Sequence, residues 1–190
     1  MVRAYRQEHV YKHPWDRVTA ANWRKYQDLE KKPLLAHILE VDTISRNIDE
    51  DSGKMHTKRL VTVNAPGPWW LQRILGSSIC HSVEESTVDP VKQEMEMVTR
   101  NVTWKDFVEV EERCWYAPHP ENSNWTLFRQ QTHIRCAKLS VLASMADKIE
   151  KHCVEKFQQN SAKGREVMEQ VCSFLEAESR KLNSPLSDLS

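Results

Sequence analysis

The spacing of apolar residues changes once along this chain, and that change limits the possible folds more than any other feature. Seven runs have the length and composition of β-strands: 3–11, 34–47, 55–63, 79–88, 92–101, 107–116 and 125–136. From about residue 140 to residue 182 the apolar residues instead recur at helical spacing. A short helix is also predicted from Pro14 to about Tyr26. Mostly short connections between the runs favour an antiparallel meander.

These elements predict an α+β fold in which a curved antiparallel sheet, crossed by one long C-terminal helix, can enclose a cavity. The chain of 190 residues has the length of one domain with a sizeable core. We therefore expect a single domain over residues 1–182 and a disordered tail over residues 183–190.

Charge and hydropathy exclude several classes of protein. Lys and Arg together number 27, as do Asp and Glu, so the chain as a whole has no electrostatic preference for nucleic acid or anionic membranes. No nucleic-acid partner is predicted. No apolar run approaches the roughly 20 residues of a membrane-spanning helix, and the first residues lack the apolar segment of a signal peptide. We expect a soluble protein that is not exported.

The sequence offers no recognisable catalytic or metal-binding motif. Its five cysteines lie far apart without a C-x-x-C pair, which favours buried thiols over a zinc site or a disulfide framework. G-x-S-x-G, H-E-x-x-H and P-loop patterns are absent from the sequence. We therefore predict no catalytic residue, no metal and no cofactor. An enzyme such as a hydrolase or phosphatase, and a non-catalytic scaffold that regulates a partner, remain the alternative functions.

The stretch VNAPGPWWLQRILGS, residues 63–77, places two adjacent tryptophans on a connection between strands. We call it the tryptophan segment and interpret it as a lid over the cavity, with Pro66, Gly67, Pro68 and Gly76 as hinges. A short helix after Pro68 groups most of its apolar side chains on one face while Trp69 projects elsewhere, where it could meet a membrane interface. That face carries Trp70, Leu71, Ile74 and Leu75. The alternative is that these residues are core beneath a long loop.

Three basic residues occupy unusual positions. Lys156 and Lys163 lie in line at the edge of the apolar stripe of the long helix, about 10 Å apart along its axis, and Gly164 follows on the packing face. The alternative is that both lysines simply extend from the edge of a packed helix. Strand alternation places Arg59 on an apolar face. A buried cation needs an anion, either a glutamate such as Glu84, Glu85, Glu111 or Glu112, or a ligand phosphate.

Six stretches of the chain resemble the PRELI/Slowmo family of mitochondrial lipid-transfer proteins, in the order in which that family carries them. They are VDTISRNID (41–49), SGKMHTKRL (52–60), STVDPV (86–91), VTRNVTW (98–104), VEERCWYAPHP (110–120) and NSAKGREVME (160–169). The last two are most similar to the Slowmo branch. The resemblance extends from about residue 9 to residue 175, nearly the whole chain.

This resemblance implies seven antiparallel strands wrapped with helices, open at one end beneath a lid loop that matches the tryptophan segment. It implies residence in the mitochondrial intermembrane space, transient contact with membranes and a small helical-hairpin partner with twin Cys-x9-Cys motifs. It further implies transfer of an anionic phospholipid, phosphatidic acid or phosphatidylserine. The positions that match the family's basic set at the lipid head group are Lys25, His37, Arg59, Lys156 and Lys163. The chain departs from the family after the first helix, where Tyr26 to Leu29 replaces a Tyr-Pro-Asn-Pro stretch, and just before the lid, where the family's further lysines are missing.

Overall fold

A computed structural model describes residues 2–28, 31–67, 72–73, 76–136 and 146–182. The strands are β1 (Val2–Tyr11), β2 (Ile38–Ile48), β3 (Met55–Asn64), β4 (Ile79–Asp89), β5 (Glu94–Asn101), β6 (Val108–His119) and β7 (Asn122–Cys136). The helices are α1 (Trp15–Arg24) and α2 (Ala146–Leu182), and a 3₁₀ turn covers Pro33–Leu35.

The strands form one antiparallel sheet in the order β1-β7-β6-β5-β4-β3-β2. Strands β2 to β7 follow one another as a meander, whereas β1 pairs with β7 at the opposite edge from β2. The chain crosses from one edge to the other through α1, and α2 packs on α1, β1 and β7. The α+β architecture predicted from the sequence, with a curved seven-stranded sheet and a long C-terminal helix, is confirmed. The lid predicted over residues 68–71, 74 and 75 lies outside the described residues.

Pro14 fixes the start of helix α1. Pro14 is the extended N-cap residue, and its carbonyl accepts the first helical hydrogen bond from the Val18 amide at 3.1 Å. Asp16 in the first turn complements the positive end of the helix dipole. The indole nitrogen of Trp15 donates to the Tyr116 carbonyl at 3.2 Å, which fixes α1 to the sheet.

The turns at the other end of the sheet are closed by two aspartates. The Asp49 carboxylate accepts hydrogen bonds from the amides of Asp51 and Ser52, and these bonds lower its pKa. Gly53 supplies the positive φ of +67° that this turn needs. Asp89 accepts amide hydrogen bonds in the next turn and also pairs with Lys54 at 3.3 Å, so one hairpin end is tied to the other.

Helix α2 is held at two places along its length. Near its start, Ile149 packs with Val108 and Ile134 in a small apolar cluster that Phe157 borders. Further along, Val167, Met168, Val171 and Cys172 join the main core against the sheet and α1. Between the two clusters, helix residues from about 156 to 165 face a cavity rather than a packed core. This double anchorage positions the candidate site.

Two details of the sequence interpretation were wrong. The strand predicted from residue 34 begins only at Ile38, because Pro33 starts a 3₁₀ turn and cannot donate a ladder hydrogen bond. The apolar stripe predicted to reach Leu182 ends earlier, and Leu182 is 85% exposed. One turn before Leu182, α2 meets α1 in the half-exposed ion pair of Glu178 with Arg24 at 2.8 Å.

Candidate functional site

A cavity of about 480 Å³ lies between the inner face of the sheet and α2. Its volume falls in the range of roughly 300–1,000 Å³ that ligand sites occupy. The strand side chains that line it are largely apolar and include Val61, Val63, Met97, Val108, Val110, Tyr116 and Phe128. Ala65, Pro66 and Gly67, which belong to the tryptophan segment, also line it.

Lys156 and Lys163 line the cavity from α2. Both side chains are exposed, and neither forms a hydrogen bond or an ion pair with another residue that the structure describes. Gly164 also lines the cavity, and a Cβ atom added there would meet nothing within 4 Å. The helix therefore presents two free ammonium groups beside a stretch of uncovered backbone.

His37 lines the cavity just before β2 begins. Its backbone carbonyl accepts a hydrogen bond from the Asn64 amide at 2.7 Å, which fixes the residue near the end of β3. Burial lowers the pKa of the His37 imidazole, and the positive charge of Lys163 lowers it further. The imidazole is thus close enough to Lys163 for the two to repel each other when both are charged.

Lys25, just past the end of α1, reaches the cavity beside a buried carboxylate. Its ammonium lies 3.8 Å from Glu84 and 4.6 Å from the centre of the Tyr26 ring. The Tyr26 hydroxyl donates a hydrogen bond to Glu84 at 3.1 Å, and burial together with the Glu84 charge raises the pKa of Tyr26.

Arg59 supplies the second cation beside Glu84. Its guanidinium lies 3.3 Å from the Glu84 carboxylate and 4.4 Å from the centre of the Trp23 ring. Among the described residues, Arg59 is not one of those that line the cavity. The glutamate that the sequence left open is therefore Glu84, and Arg59 lies behind it.

A second carboxylate, Glu112 of β6, also lines the cavity. One of its oxygens accepts a hydrogen bond from the amide nitrogen of Gln130 on β7. The Gln130 carbonyl oxygen in turn accepts from Ser161 of α2 at 2.6 Å and from Gln7 of β1. Burial raises the pKa of Glu112, and the Gln130 hydrogen bond opposes this shift. This network ties α2 to the sheet at the cavity.

The structure thus brings four of the five predicted basic residues to one cavity. Sequence reasoning named Glu84 and Glu112 only as possible partners of Arg59 and did not place them in the site. Strand alternation was the available signal, since Glu84 faces Arg59 in the β3–β4 register. The lid residues Pro68, Trp69, Trp70, Leu71, Ile74 and Leu75 lie outside the described residues.

Other chemistry is limited among the described residues. They contain no group of three or more His, Cys, Asp and Glu side chains that could hold a metal ion. Cys80, Cys114 and Cys172 are buried thiols. Burial raises the pKa of Cys114, and that of Cys172 to about 12, so neither is an activated nucleophile. Within the described part of the chain, no helix is long and apolar enough to cross a bilayer.

Comparison with known sequences identifies the family. The sequence profile of the PRELI-like family matches residues 16–178. The chain belongs to the PRELI-like family. It is 34% identical to the Protein slowmo homolog of Dictyostelium discoideum over 92% of this chain and 73% of that protein. It is 32% identical to the mitochondrial protein UPS2 of Saccharomyces cerevisiae over 86% of this chain and 70% of that protein. The resemblance to the PRELI/Slowmo family is therefore confirmed.

Solved structures share the fold of this PRELI-like chain. Zhui aromatase/cyclase from a Streptomyces species superposes with a TM-score of 0.60 over 91% of this chain and 94% of that one, at 11% identity. Ara h 8.0201 superposes with a TM-score of 0.54 over 91% of this chain and 99% of that one, also at 11% identity. At such identities the likeness concerns the fold alone.

Proposed function

We propose that this protein is a phospholipid carrier that extracts an anionic phospholipid, phosphatidic acid or phosphatidylserine, from one mitochondrial membrane and releases it at another. The observation that carries the proposal is a largely apolar cavity crossed by a helix that presents two lysines without a hydrogen-bond or ion-pair partner among the described residues. Membership of the PRELI-like family supports it. The mitochondrial relative UPS2 supports a mitochondrial location, for which we propose the intermembrane space.

The apolar lining would lower the main free-energy barrier to lipid movement through water, which is the exposure of the acyl chains. Each CH₂ group kept from water is worth about 0.8 kcal/mol, so two acyl chains of ordinary length cannot cross the aqueous phase unaided at a useful rate. Side chains such as Val61, Met97 and Phe128 would replace membrane hydrocarbon around the chains. A carrier needs no chemical change in its cargo, and the proposal therefore includes no catalytic residue.

The head-group phosphate would be held by the cations that face the cavity. Lys156 and Lys163 are the principal donors, since neither ammonium has another partner among the described residues. His37 and Lys25 complete the set from the sheet and α1. Charge-assisted hydrogen bonds from these groups would compensate the phosphate for lost water. Arg59, which is paired with Glu84, contributes by fixing the floor of the site.

The proposed carrier also has a lid over its cavity and a protein partner. The tryptophan segment would act as the lid, with Trp70, Leu71, Ile74 and Leu75 as the face that seals the cavity, Trp69 as the membrane contact and Pro68 as one of the hinges. Residues 1–182 form one lipid-transfer domain, and residues 183–190 lie outside the described residues. A small helical-hairpin protein with twin Cys-x9-Cys motifs binds the carrier. We take no nucleic acid, metal or cofactor to be involved.

A vesicle-to-vesicle assay tests this function. Donor vesicles contain labelled phosphatidic acid, phosphatidylserine or phosphatidylcholine, and the lipid that reaches acceptor vesicles is counted per protein molecule. The proposal predicts many anionic lipids moved per protein, with their masses unchanged. One lipid retained per protein without onward delivery would favour the lipid-sensing scaffold, and a change in lipid mass would favour an enzyme.

A further inference from the structure

Glu112 is a carboxylate at the cavity, and one of its two oxygens has no hydrogen-bond partner among the described residues. Its Oε1 is engaged by the amide nitrogen of Gln130. The Gln130 amide is oriented by Ser161, whose hydroxyl donates to its carbonyl oxygen at 2.6 Å, so its NH₂ group must point to Glu112. Glu112 Oε2 forms no hydrogen bond, and the carboxylate forms no ion pair, with another residue that the structure describes.

The charged groups around Glu112 come from several elements. Lys25 past α1 attracts its charge, and Glu84 of β4 repels it. Arg59 of β3 lies behind Glu84 and neutralises it. The other groups near Glu112 are neutral: Thr99 opposite it on β5, Gln130 on β7, Cys114 on β6, Tyr26 next to α1, and Tyr116. On α2, Arg165 adds a positive charge at the far end of this network, where it donates to Ser161 at 3.1 Å and to Gln7 of β1 at 2.5 Å.

The charged groups on the sheet side of the site leave no excess positive charge there. Lys25 and Arg59 carry two positive charges, and Glu84 and Glu112 together carry two negative charges when ionised. A phosphate that enters the cavity would therefore face an ionised Glu112. Two anions in contact in a poorly solvated site do not both stay ionised, because their mutual repulsion raises the pKa of the weaker acid. Beside a phosphodiester, such as that of phosphatidylserine, the weaker acid is Glu112. Burial already raises the pKa of Glu112.

We propose that Glu112 is a further head-group ligand that binds the phosphate of the cargo in its protonated form, so that loading takes up one proton. The proton comes from solvent and goes to Oε2, which then donates an O–H hydrogen bond to a phosphate oxygen. Release of the lipid returns the proton to solvent. This role rests on the proposed lipid-carrier function.

Proton uptake makes loading depend on pH. Where Glu112 is ionised in the empty protein, each unit of pH decrease tightens binding by up to about tenfold through this group alone. His37 adds to the same trend, because a bound phosphate also favours its charged form. The contribution of Glu112 must therefore be separated from that of His37 by substitution.

The decisive variant is Glu112→Gln. Glutamine keeps the acceptor for Gln130 and offers an N–H where the protonated acid offers an O–H. Loading from vesicles containing phosphatidylserine, whose phosphodiester does not titrate in this range, is measured from pH 6 to pH 8. We expect the variant to load lipid at pH 8 at least as well as the native protein. Its lipid affinity should also change less with pH, by the contribution of one titrating proton. Glu109→Gln, on the same strand but exposed, is the matched control and should change neither.

The outcomes separate the two proposals. If the native protein takes up no anionic lipid, the carrier function fails first. If the native protein loads lipid and Glu112→Gln keeps the full pH dependence, the role of Glu112 is wrong and the carrier function stands. If the variant is unstable, calorimetric loading of the native protein and of its His37→Asn variant, in two buffers of different ionisation enthalpy, counts the protons directly. Less than about half a proton taken up by His37→Asn across this range overturns the inference.

Discussion

The guanidinium of Arg59 lies 3.3 Å from the carboxylate of Glu84, and both side chains are almost fully buried. One position earlier on the same strand, Lys58 lies 3.0 Å from Glu85, and both of these side chains are about half exposed. The two pairs join the same strands, β3 and β4, on opposite faces of the sheet. They therefore form a natural comparison between a buried and an exposed ion pair.

Removal of the buried cation should be costly. We expect Arg59→Met to lower the free energy of unfolding by about 3 kcal/mol, because the buried Glu84 loses its nearer cation and keeps the more distant Lys25 at 3.8 Å. Lys58→Met should lower it by about 1 kcal/mol or less, since exposed pairs contribute little. Urea unfolding of both variants measures the difference. Similar small losses in both would show that Arg59 does not stabilise the floor of the site.

Reversal of the two helix charges should abolish transfer and leave the fold intact. Lys156→Glu with Lys163→Glu replaces two phosphate donors by two repelling carboxylates. Loss of two charge-assisted hydrogen bonds alone, at roughly 1.5–3 kcal/mol each, reduces affinity about 100-fold or more. Lys148→Glu with Lys151→Glu makes the same charge change on exposed positions of α2 that do not line the cavity. Transfer between vesicles that is equal in both double variants would remove Lys156 and Lys163 from the site.

Gly164 should tolerate a small side chain and block the cavity with a large one. Because a Cβ atom there meets nothing within 4 Å, we expect Gly164→Ala to stabilise the protein by up to about 1 kcal/mol through helix propensity. Gly164→Phe should fold normally but take up much less lipid. Ala162→Phe places the same ring on an exposed position of α2 and serves as the control. Normal lipid uptake by Gly164→Phe would mean that cargo does not occupy this part of the cavity.

His37 should titrate below its ordinary range in the lipid-free protein. Since its folded-state pKa lies under the unfolded value of about 6.5, the unfolded state binds the proton more readily. The contribution of His37 to stability is therefore present above that value and lost as the pH falls through the folded pKa. Lys163→Met should raise the midpoint of the His37 ring signals in an NMR titration, and Lys148→Met should not. An unchanged midpoint in Lys163→Met would show that the two groups do not interact.

Local sequence patterns were sufficient to predict much of the fold. Alternation and turn residues located seven strands to within a few residues, and helical spacing located α2. The place of β1 beside β7 could not be read from such patterns, because it depends on pairing between the two ends of the sheet. Pro33 also misled the assignment of β2, since the apolar residues that follow it belong to a 3₁₀ turn.

The candidate site was less accessible to sequence reasoning. Alternation indicated that Arg59 faces inward, but the choice of Glu84 rather than Glu112 needed the register between β3 and β4, which a long connection separates. Glu112 could not be placed at the cavity until β5, β6 and β7 were aligned. The basic set came from family resemblance and the unusual positions of three of its members, whereas the acidic members came only from the structure.

Native mass spectrometry of the purified protein, with its lipids extracted and identified, tests the central claim most directly. The account predicts one anionic phospholipid per chain and no covalent change in that lipid. A protein that is isolated empty and acquires no anionic lipid from vesicles, even when a helical-hairpin partner is supplied, would contradict it.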